Sequence, residues 1–177
     1  MQELVRIARE SEAALIVDEQ STGCGATGEG FWQYDGRADF VCFGKRMQVS
    51  GFFSAESDGS RDVNLAGSQL GLRQFAVIKD HIDSRGLVDE VASVGKSLAA
   101  NVARSCEKSS RITGVRSVGT SSWIDTSNAE AARELTEHLR QNGVLVKQNG
   151  SRGVMTKPAL TLTDQQATPL SSALAKF

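Results

Sequence analysis

Two short apolar runs in the first third of the chain each end at charged residues. The first, residues 14–17, stops at Asp18 and Glu19, and the second, residues 40–43, ends in Gly44 and Lys45. Apolar runs of this length without polar alternation predict strands that are buried on both faces of a parallel sheet. Ligands bind at the carboxyl ends of the strands in open sheets of this kind. The pattern therefore predicts a carboxylate and an amine at the sheet edge where a ligand is expected.

The residues around these strands predict an α/β arrangement. Residues 2–11 repeat apolar side chains at helical spacing, so a helix should lead into the first strand. Residues 30–37 form a loop with three aromatic side chains that leads into the second strand. A further short strand is predicted over 49–55, and the polar, glycine-containing residues 54–62 indicate an exposed loop.

Helical periodicity dominates the middle of the chain. Apolar residues recur at helical spacing over 67–83, Gly86 breaks the pattern, and residues 87–106 resume it as a long amphipathic helix. We place a domain boundary near Gly86. The sequence then predicts an incomplete parallel-sheet domain over 1–86 and a small α+β domain over 87–177.

The last third alternates short apolar runs with helices. The runs at 123–124 and 144–146 flank a helix predicted over 128–141, with Ser127 or Asn128 as its N-cap and Gly143 as its stop. A weaker helix over 164–176 is predicted to be interrupted by Pro169.

The composition excludes several classes of protein. The chain has 177 residues, of which 40% are hydrophobic and 23% charged, and a net charge of −1. These values are typical of a soluble globular protein and indicate no general affinity for nucleic acid or an anionic membrane. No apolar stretch is long enough to span a bilayer, and the first residues do not resemble a signal or transit peptide. The three cysteines are odd in number and far apart, which favours free thiols in a reducing compartment.

Two glycine-containing patterns imitate nucleotide-binding motifs. Residues 23–28 fit G-x-G-x-x-G after a strand, but a dinucleotide site needs a helix that begins at the third glycine, and an aromatic loop follows instead. Asp18 and Glu19 would also repel a pyrophosphate at this strand end. Residues 95–97, Gly-Lys-Ser, resemble the tail of a P-loop, but Glu90 stands where the earlier glycine is required. We therefore interpret 95–97 as part of a helix surface.

The histidines and cysteines predict no metal site and no nucleophile. His81 and His138 are isolated, without a neighbouring cysteine or histidine that would complete a metal site or a nucleophile–base pair. Cys24 and Cys42 have no partner base that can be named, so they are predicted to be packing residues.

An amine and a carboxylate at neighbouring strand ends meet the requirements of one cofactor. Pyridoxal 5′-phosphate needs a lysine amine to form a Schiff base and a carboxylate to hold its pyridine nitrogen protonated. The same lysine, once displaced by substrate, can carry the substrate proton as base and acid. Two such residues also admit an ordinary interpretation, in which Asp18 caps a turn and Lys45 is a solvated lysine at a strand end.

The residues around this pair resemble the signature of a known family. The segments LIVDE (15–19), TGCGATG (22–28), ADFVCFGK (38–45) and GFF (51–53) together closely resemble that of the class III, ornithine/4-aminobutyrate type, aminotransferases. A looser resemblance extends to 116–120 and 157–160, so it covers nearly the whole chain. Within the family the 4-aminobutyrate type is most similar, with the lysine 6-aminotransferases close behind.

The resemblance implies a fold, a cofactor and residue roles. The fold would be the C-terminal part of a fold-type I pyridoxal-phosphate-dependent transferase, the end of the large domain plus the small α+β domain. Lys45 would be the catalytic lysine that binds the cofactor, and Asp18 would bind the pyridine nitrogen. Asn64 would reach the cofactor phosphate of the neighbouring subunit in a homodimer. The implied reaction transfers an amino group from an ω-amino acid, foremost 4-aminobutyrate, to 2-oxoglutarate, which yields succinate semialdehyde and glutamate.

Three positions depart from the family pattern. Ser21 stands where the family has a glutamine that touches the ring hydroxyl of the cofactor, and Asn64 replaces a phosphate-binding threonine. Lys157 replaces an arginine that binds the substrate carboxylate, and lysine lacks the planar bidentate fork of arginine. These changes suggest a divergent enzyme or one under relaxed constraint.

Family members are more than twice as long as this chain. The missing N-terminal part would carry the glycine-rich phosphate loop and further substrate-binding residues. We therefore expect the 177-residue chain alone to be marginally folded, with little or no transaminase activity. The alternatives are a non-catalytic remnant that acts by dimer association, and a lysine 6- or ornithine-type aminotransferase. The compartment, cytoplasm or mitochondrial matrix, stays open.

Overall fold

The computed structural model describes residues 2–34, 36–54 and 69–177. Its helices are α1 (Gln2–Glu10), α2 (Gln69–Ser84), α3 (Leu87–Cys106), α4 (Ala129–Gln141) and α5 (Asp164–Leu174). Its strands are β1 (Ile16–Asp18), β2 (Phe40–Phe43), β3 (Gly51–Ser54), β4 (Ile112–Val118), β5 (Ser121–Thr126), β6 (Lys147–Asn149) and β7 (Gly153–Thr156). One turn of 3₁₀ helix covers Lys45–Met47. The predicted α/β class is confirmed.

The described residues form two compact units. The first comprises the chain up to Gly25 and from Gly30 to Gly86, and the second comprises Ala26–Glu29 together with Leu87–Phe177. The long helix α3 therefore belongs wholly to the second unit, and so does a short piece of the glycine-rich turn.

The first unit contains a mixed sheet in the order β1-β2-β3. Strands β1 and β2 are parallel, with Ile16 beside Phe40, and β3 runs antiparallel to β2. The three predicted strands are confirmed, with shifts of one or two residues at their ends. The sheet is not wholly parallel because only the 3₁₀ turn and a few residues join β2 to β3, and a parallel pair would need a much longer crossover.

The prediction that both early strands are buried on both faces is wrong for β1. Val41 in β2 is only 1% exposed, but Ile16 in β1 is 62% exposed. Strand β1 is one of the two edge strands of the described sheet, and Leu4 and Ile7 on α1 are exposed as well. The described residues therefore leave apolar side chains of β1 and α1 in contact with solvent.

Asp39 ties the start of β2 to the start of β1 and to α1. Its Oδ2 accepts a hydrogen bond from the backbone N–H of Leu15 at 2.7 Å, and its Oδ1 lies 2.8 Å from Nη1 of Arg9. The backbone N–H of Asp39 in turn donates to the carbonyl of Leu15 at 2.9 Å. The Leu15 N–H, and after it the Arg9 guanidinium, hold the pKa of the Asp39 carboxyl below its usual value.

The second unit is built on an antiparallel sheet in the order β4-β5-β7-β6. Side chains of α3, α4 and α5 form one buried core with β5 and β7, and its largest members are Leu98, Val102, Ile124, Leu135, Leu139, Val154, Leu170 and Leu174. The apolar run at 123–124 lies within β5, whereas the run at 144–146 precedes β6. Strands β4 and β7 are not evident from the sequence pattern, because β4 contains glycine, arginine and serine and β7 is only four residues long.

The helix ends follow side-chain chemistry. The Oδ1 of Asn128 accepts a hydrogen bond from the backbone N–H of Ala131 at 2.8 Å, which confirms the predicted N-cap of α4. The prediction that Pro169 interrupts the last helix is wrong, since α5 continues through it. A capping box between Thr163 and Gln166 fixes the start of α5, and its buried face packs into the core. These contacts offset the hydrogen bond that proline removes.

Three glycines allow backbones to touch within the second unit. A Cβ atom on Gly28 would lie 2.6 Å from the backbone N of Ala92, and one on Gly95 would lie 2.6 Å from the carbonyl O of Gly119. A Cβ on Gly119 would lie 2.5 Å from the carbonyl O of Ala26. The glycine-rich turn therefore packs against other backbone, and no helix begins at Gly28. The expectation that Gly95 lies on a helix surface is wrong, because Gly95 is buried in this contact.

Candidate functional site

Strands β1 and β2 end side by side. Asp18 is the last residue of β1 and lies beside Cys42 in the parallel register. The backbone N–H of Glu19 donates to the carbonyl of Cys42 at 2.8 Å, which continues the pairing one residue further. Lys45 follows β2 after Gly44. Both residues predicted from the sequence therefore stand at the carboxyl edge of the same two strands.

The backbone at Lys45 is in an uncommon conformation. Its φ angle is +51°, in the left-handed region that non-glycine residues rarely adopt, and Gln48 at the other end of the 3₁₀ turn has φ +59°. The carbonyl of Lys45 accepts hydrogen bonds from the backbone N–H of Gln48 at 2.9 Å and from its side-chain amide at 3.2 Å. Residues held in such regions cost about 1–3 kcal/mol each and cluster at functional sites. The strain at Lys45 thus supports a functional role for this turn.

Gly44 lets three chain segments meet in front of Lys45. A Cβ atom there would lie 2.8 Å from Oγ of Ser50 and 3.5 Å from Cγ of Gln20. The φ angle of Gly44 is 169°, an extended value open to any residue, so the requirement for glycine is one of space. Side chains from the turn after β1 and from the residue before β3 therefore close over the backbone that precedes the lysine.

The amine of Lys45 reaches the turn after β1. Its Nζ donates a hydrogen bond to Oγ of Ser21 at 3.0 Å, across 24 residues of sequence. The Lys45 side chain is exposed and Ser21 is half-buried. Two of the residues predicted from the sequence are thus in direct contact.

Asp18 performs a turn-capping role. Its Oδ1 accepts a hydrogen bond from the backbone N–H of Gln20 at 2.9 Å, as in the ordinary interpretation left open by the sequence. An ionised carboxylate has about four acceptor positions, so this bond leaves Asp18 able to accept others. Its side chain is exposed at the same sheet edge as Lys45.

Glu19 is a structural carboxylate of this site that the sequence pattern does not distinguish from Asp18. It is 1% exposed and accepts hydrogen bonds from the Thr22 hydroxyl and from the backbone N–H of Tyr34 at 2.6 Å. Its own carbonyl accepts from the backbone N–H of Gly23 at 2.8 Å. Glu19 therefore holds the turn after β1 against the aromatic loop. A signal for this role exists only in the three-dimensional contacts, since both acids follow the same apolar run.

The remaining predicted residues lie elsewhere. Asn64 falls outside the described residues. Lys157 follows β7 in the second unit and its side chain is exposed. The contacts therefore bring together Asp18, Ser21 and Lys45 at one sheet edge.

Two of the thiols and one histidine have clear structural environments. Burial raises the pKa of the Cys24 thiol, against the opposing effects of Arg46 and Lys79, and raises the pKa of Cys106 to about 11. His138 is hydrogen-bonded through Nε2 to the carbonyl of Ala173 at 2.8 Å. Within the described ranges no group of three potential metal ligands occurs, and no helix is long and apolar enough to cross a membrane.

A cavity of about 770 Å³ lies at the opposite end of the first sheet. It is bordered by the end of α1 and the residues that precede β1 and β2, including Arg9 and Asp39. These two charged groups on its border are paired with each other. None of the predicted site residues lines this cavity, so its size does not identify it as the site of chemistry.

Comparisons with known proteins agree on one family. The model of the family described as "Aminotransferase class-III" matches residues 1–177. Mitochondrial 4-aminobutyrate aminotransferase from Mus musculus is 30% identical over 91% of this chain and 34% of its own length. The L-lysine-epsilon aminotransferase of Amycolatopsis lactamdurans is 25% identical over 99% of this chain and 42% of its own length. This chain thus spans about a third of the length of the mouse relative.

Solved structures share the fold. Lysine aminotransferase from M. tuberculosis superposes with a TM-score of 0.81 at 25% identity and covers 98% of this chain, which corresponds to 43% of that protein. Ornithine aminotransferase from Plasmodium yoelii superposes with a TM-score of 0.84 at 18% identity, a similarity of fold alone, over 99% of this chain and 50% of its own.

Proposed function

Because this chain belongs to the class III aminotransferase family, we propose that it carries the lysine-bearing part of a transaminase that uses pyridoxal 5′-phosphate. In this proposal residues 1–86 are the end of the large cofactor-binding domain and residues 87–177 are the small C-terminal domain. The observation that carries the proposal is the contact of 3.0 Å between Nζ of Lys45 and Oγ of Ser21, at the strand edge where Asp18 also ends.

The side chains at this edge fit the chemistry of the cofactor. The Lys45 amine is the group that would hold the cofactor through its aldehyde, and the Asp18 carboxylate would accept a hydrogen bond from the protonated pyridine nitrogen. The Ser21 hydroxyl would lie near the ring hydroxyl. When bound, the cofactor supplies an electron-withdrawing ring that stabilises negative charge on the substrate carbon. The space in front of Gly44, which a Cβ atom would fill, is consistent with close approach of this lysine turn to neighbouring chain.

Lys45 also supplies the proton transfer. Its amine, in the neutral form, would take a proton from the substrate carbon that bears the amino group, and the resulting ammonium would return a proton to the cofactor side. The left-handed backbone and the 3₁₀ turn limit the positions that the amine can reach. Because the amine samples fewer positions than that of a freely solvated lysine, less entropy is lost when it reaches the geometry required for reaction.

For the substrates, we propose 4-aminobutyrate as amino donor and 2-oxoglutarate as acceptor. The name of the mouse relative, at 30% identity, supports this choice, and the lysine aminotransferases at 25% identity support lysine as the alternative donor. Lys157 is the proposed partner of a substrate carboxylate, as a single point charge. Asn64 is the proposed phosphate ligand of a neighbouring subunit in a homodimer.

Reductive trapping tests the cofactor assignment. The protein is mixed with pyridoxal 5′-phosphate, reduced with borohydride and digested, and the labelled lysine is identified by mass spectrometry. We expect the label on Lys45, its loss in Lys45→Arg, and its retention in Lys79→Arg, a matched variant at a half-buried lysine that is paired with Asp83. A label on any residue other than Lys45 would refute the assignment.

Exposed apolar residues favour a second candidate function, a non-catalytic remnant that acts by dimer association. Ile16, Phe52 and Leu145 are 62%, 66% and 85% exposed, surfaces that association would cover. Turnover of 4-aminobutyrate or lysine with 2-oxoglutarate by the purified 177-residue chain would exclude this candidate. A dimer in sedimentation experiments, without any trapped cofactor, would favour it over the transaminase.

A further inference from the structure

The Lys45 amine contacts a residue from another segment of the chain. The backbone of Lys45 is held in the left-handed region by the 3₁₀ turn, and its Nζ then reaches across to Oγ of Ser21 at 3.0 Å. A lysine side chain has four rotatable bonds, so an exposed lysine without a partner would sample many positions. Here the hydrogen bond to the Ser21 hydroxyl favours one of these positions of the amine.

We propose that Ser21 is a positioning residue for Lys45. Its hydroxyl oxygen accepts a hydrogen bond from the lysine amine and holds that amine at the carboxyl edge of β2, ready to meet the cofactor aldehyde. The inference rests on the proposed function and assigns Ser21 a contact with the lysine, in addition to the expected contact with the ring hydroxyl.

The turn after β1 is rigid enough for Ser21 to act in this way. The residue before it, Gln20, donates its backbone N–H to Asp18, and the residue after it, Thr22, donates its hydroxyl to the buried carboxylate of Glu19. Glu19 is in turn bonded to the backbone N–H of Tyr34. Ser21 therefore lies between two hydrogen-bonded residues, and these bonds restrict the movement of its short side chain.

The turn that carries Ser21 also contacts the backbone before Lys45, at Gly44. A Cβ atom on Gly44 would lie 3.5 Å from Cγ of Gln20, so the side chain of the residue before Ser21 packs over the backbone before Lys45. Because this packing holds the turn close to the start of the lysine, the long Lys45 side chain can reach a hydroxyl that lies only one carbon from the main chain. The packing of Gln20 on Gly44 and the hydrogen bond of Ser21 with Lys45 are thus two contacts between the same two segments.

The size of the effect follows from a single hydrogen bond. Such a bond contributes a factor of about two to ten in an equilibrium or a rate. Loss of the Ser21 hydroxyl should therefore free the Lys45 amine to solvent and slow its productive reaction with an aldehyde by about that factor.

The first test measures the lysine without cofactor, in the full chain. Wild type, Ser21→Ala and Ser21→Thr are exposed to a trace of acetic anhydride, and acetylation of Lys45 is divided by that of Lys96, an exposed lysine on α3 in the same sample. We expect the ratio to rise about two- to ten-fold in S21A and to stay near the wild-type value in S21T, which keeps a hydroxyl. An unchanged or lower ratio in S21A, or an S21T ratio equal to that of S21A, would overturn the inference.

The second test separates this inference from the proposed function. The rate at which pyridoxal 5′-phosphate is trapped on Lys45 by borohydride should fall about two- to ten-fold in S21A and recover in S21T. Trapping on Lys45 at equal rates in all three proteins would reject the positioning role and leave the transaminase proposal intact. Absence of trapping on Lys45 in wild type, with the acetylation ratio still raised in S21A, would reject the cofactor assignment. The hydrogen bond between Lys45 and Ser21 would then still be supported.

Discussion

Asp18, the last residue of β1, lies beside Cys42 in the parallel strand β2, and Lys45 follows Cys42 by three residues, just past the end of β2. This register brings a carboxylate and an amine from segments 27 positions apart to one sheet edge. The same carboxylate caps the turn that carries Ser21. Asp18 can therefore serve the local turn and a bound ligand at once, and these two roles predict different responses to substitution.

Asp18→Asn separates the two roles of this residue. Asparagine keeps an oxygen that can cap the turn but loses the negative charge that would hold a protonated pyridine nitrogen. We expect a fall of about 10- to 100-fold in affinity for pyridoxal 5′-phosphate, the range for a hydrogen bond to a charged group, with unchanged thermal stability. Absorbance titration measures the affinity, and Asp80→Asn on the exposed side of α2 is the matched control. Equal affinities in wild type and D18N would mean that Asp18 only caps the turn.

Gly119→Ala should strongly destabilise the second unit. The new Cβ would overlap the carbonyl of Ala26 at 2.5 Å, and the φ of +54° adds a conformational penalty. The penalty for left-handed alanine is about 1–2 kcal/mol, and overpacking adds about 1–3 kcal/mol. Urea unfolding should therefore show a loss of about 2–5 kcal/mol. Gly143→Ala, where φ is +78° and nothing lies within 4 Å, isolates the first penalty. Equal losses in the two variants would contradict the close packing at Gly119.

Thr156→Val should raise stability. Thr156 lies in β7, two residues after the core residue Val154, and its buried hydroxyl has no hydrogen-bond partner among the described residues. Valine has nearly the same shape without the polar atom, so we expect a gain of about 1 kcal/mol in the free energy of unfolding.

Thr126→Val is the matched comparison for this gain. The hydroxyl of buried Thr126 is shared between the carbonyls of Asn128 at 3.0 Å and Arg152 at 2.9 Å. Its removal should cost about 0.5–1.5 kcal/mol, the contribution of an ordinary hydrogen bond, because both carbonyls keep a backbone N–H donor, Thr126 for Arg152 and Ala132 for Asn128. A loss of stability in T156V similar to that in T126V would show that the Thr156 hydroxyl is satisfied in solution.

Asp39→Asn should destabilise the first unit in a pH-dependent way. The pKa of Asp39 is lower in the folded protein than in the unfolded chain, because the Leu15 N–H and Arg9 favour the charged form. The folded state thus gains stability above the unfolded pKa of about 4, and this gain disappears as the pH falls through the folded pKa. The difference between wild type and D39N in urea midpoint should therefore be present at neutral pH and shrink on acidification. A difference that is constant with pH would mean that the Asp39 charge does not contribute.

By itself, the sequence predicted the helices, the three strands of the first unit and the residue types of the candidate site. Long periodic segments predicted α3 and α4 with accurate ends, because amphipathic spacing, capping residues and stop glycines act locally. Apolar runs that stop before Asp18 and before Gly44 and Lys45 predicted where a candidate site would lie, because the end of an apolar run can be read directly from the sequence. The family resemblance then predicted a role for each residue before any contact was known.

Only the tertiary structure decided which groups touch. The burial of Glu19 but not Asp18, the bond from Lys45 to Ser21 and the exposure of β1 depend on how separate segments pack, and no local pattern encodes that. The sequence pattern left β4 and β7 unassigned because their pairing partners, not their own residues, make them strands. Gly95 and Gly119 are required because a Cβ atom at either position would lie within 2.6 Å of the backbone of another segment. Residue spacing along the chain does not reveal such a contact.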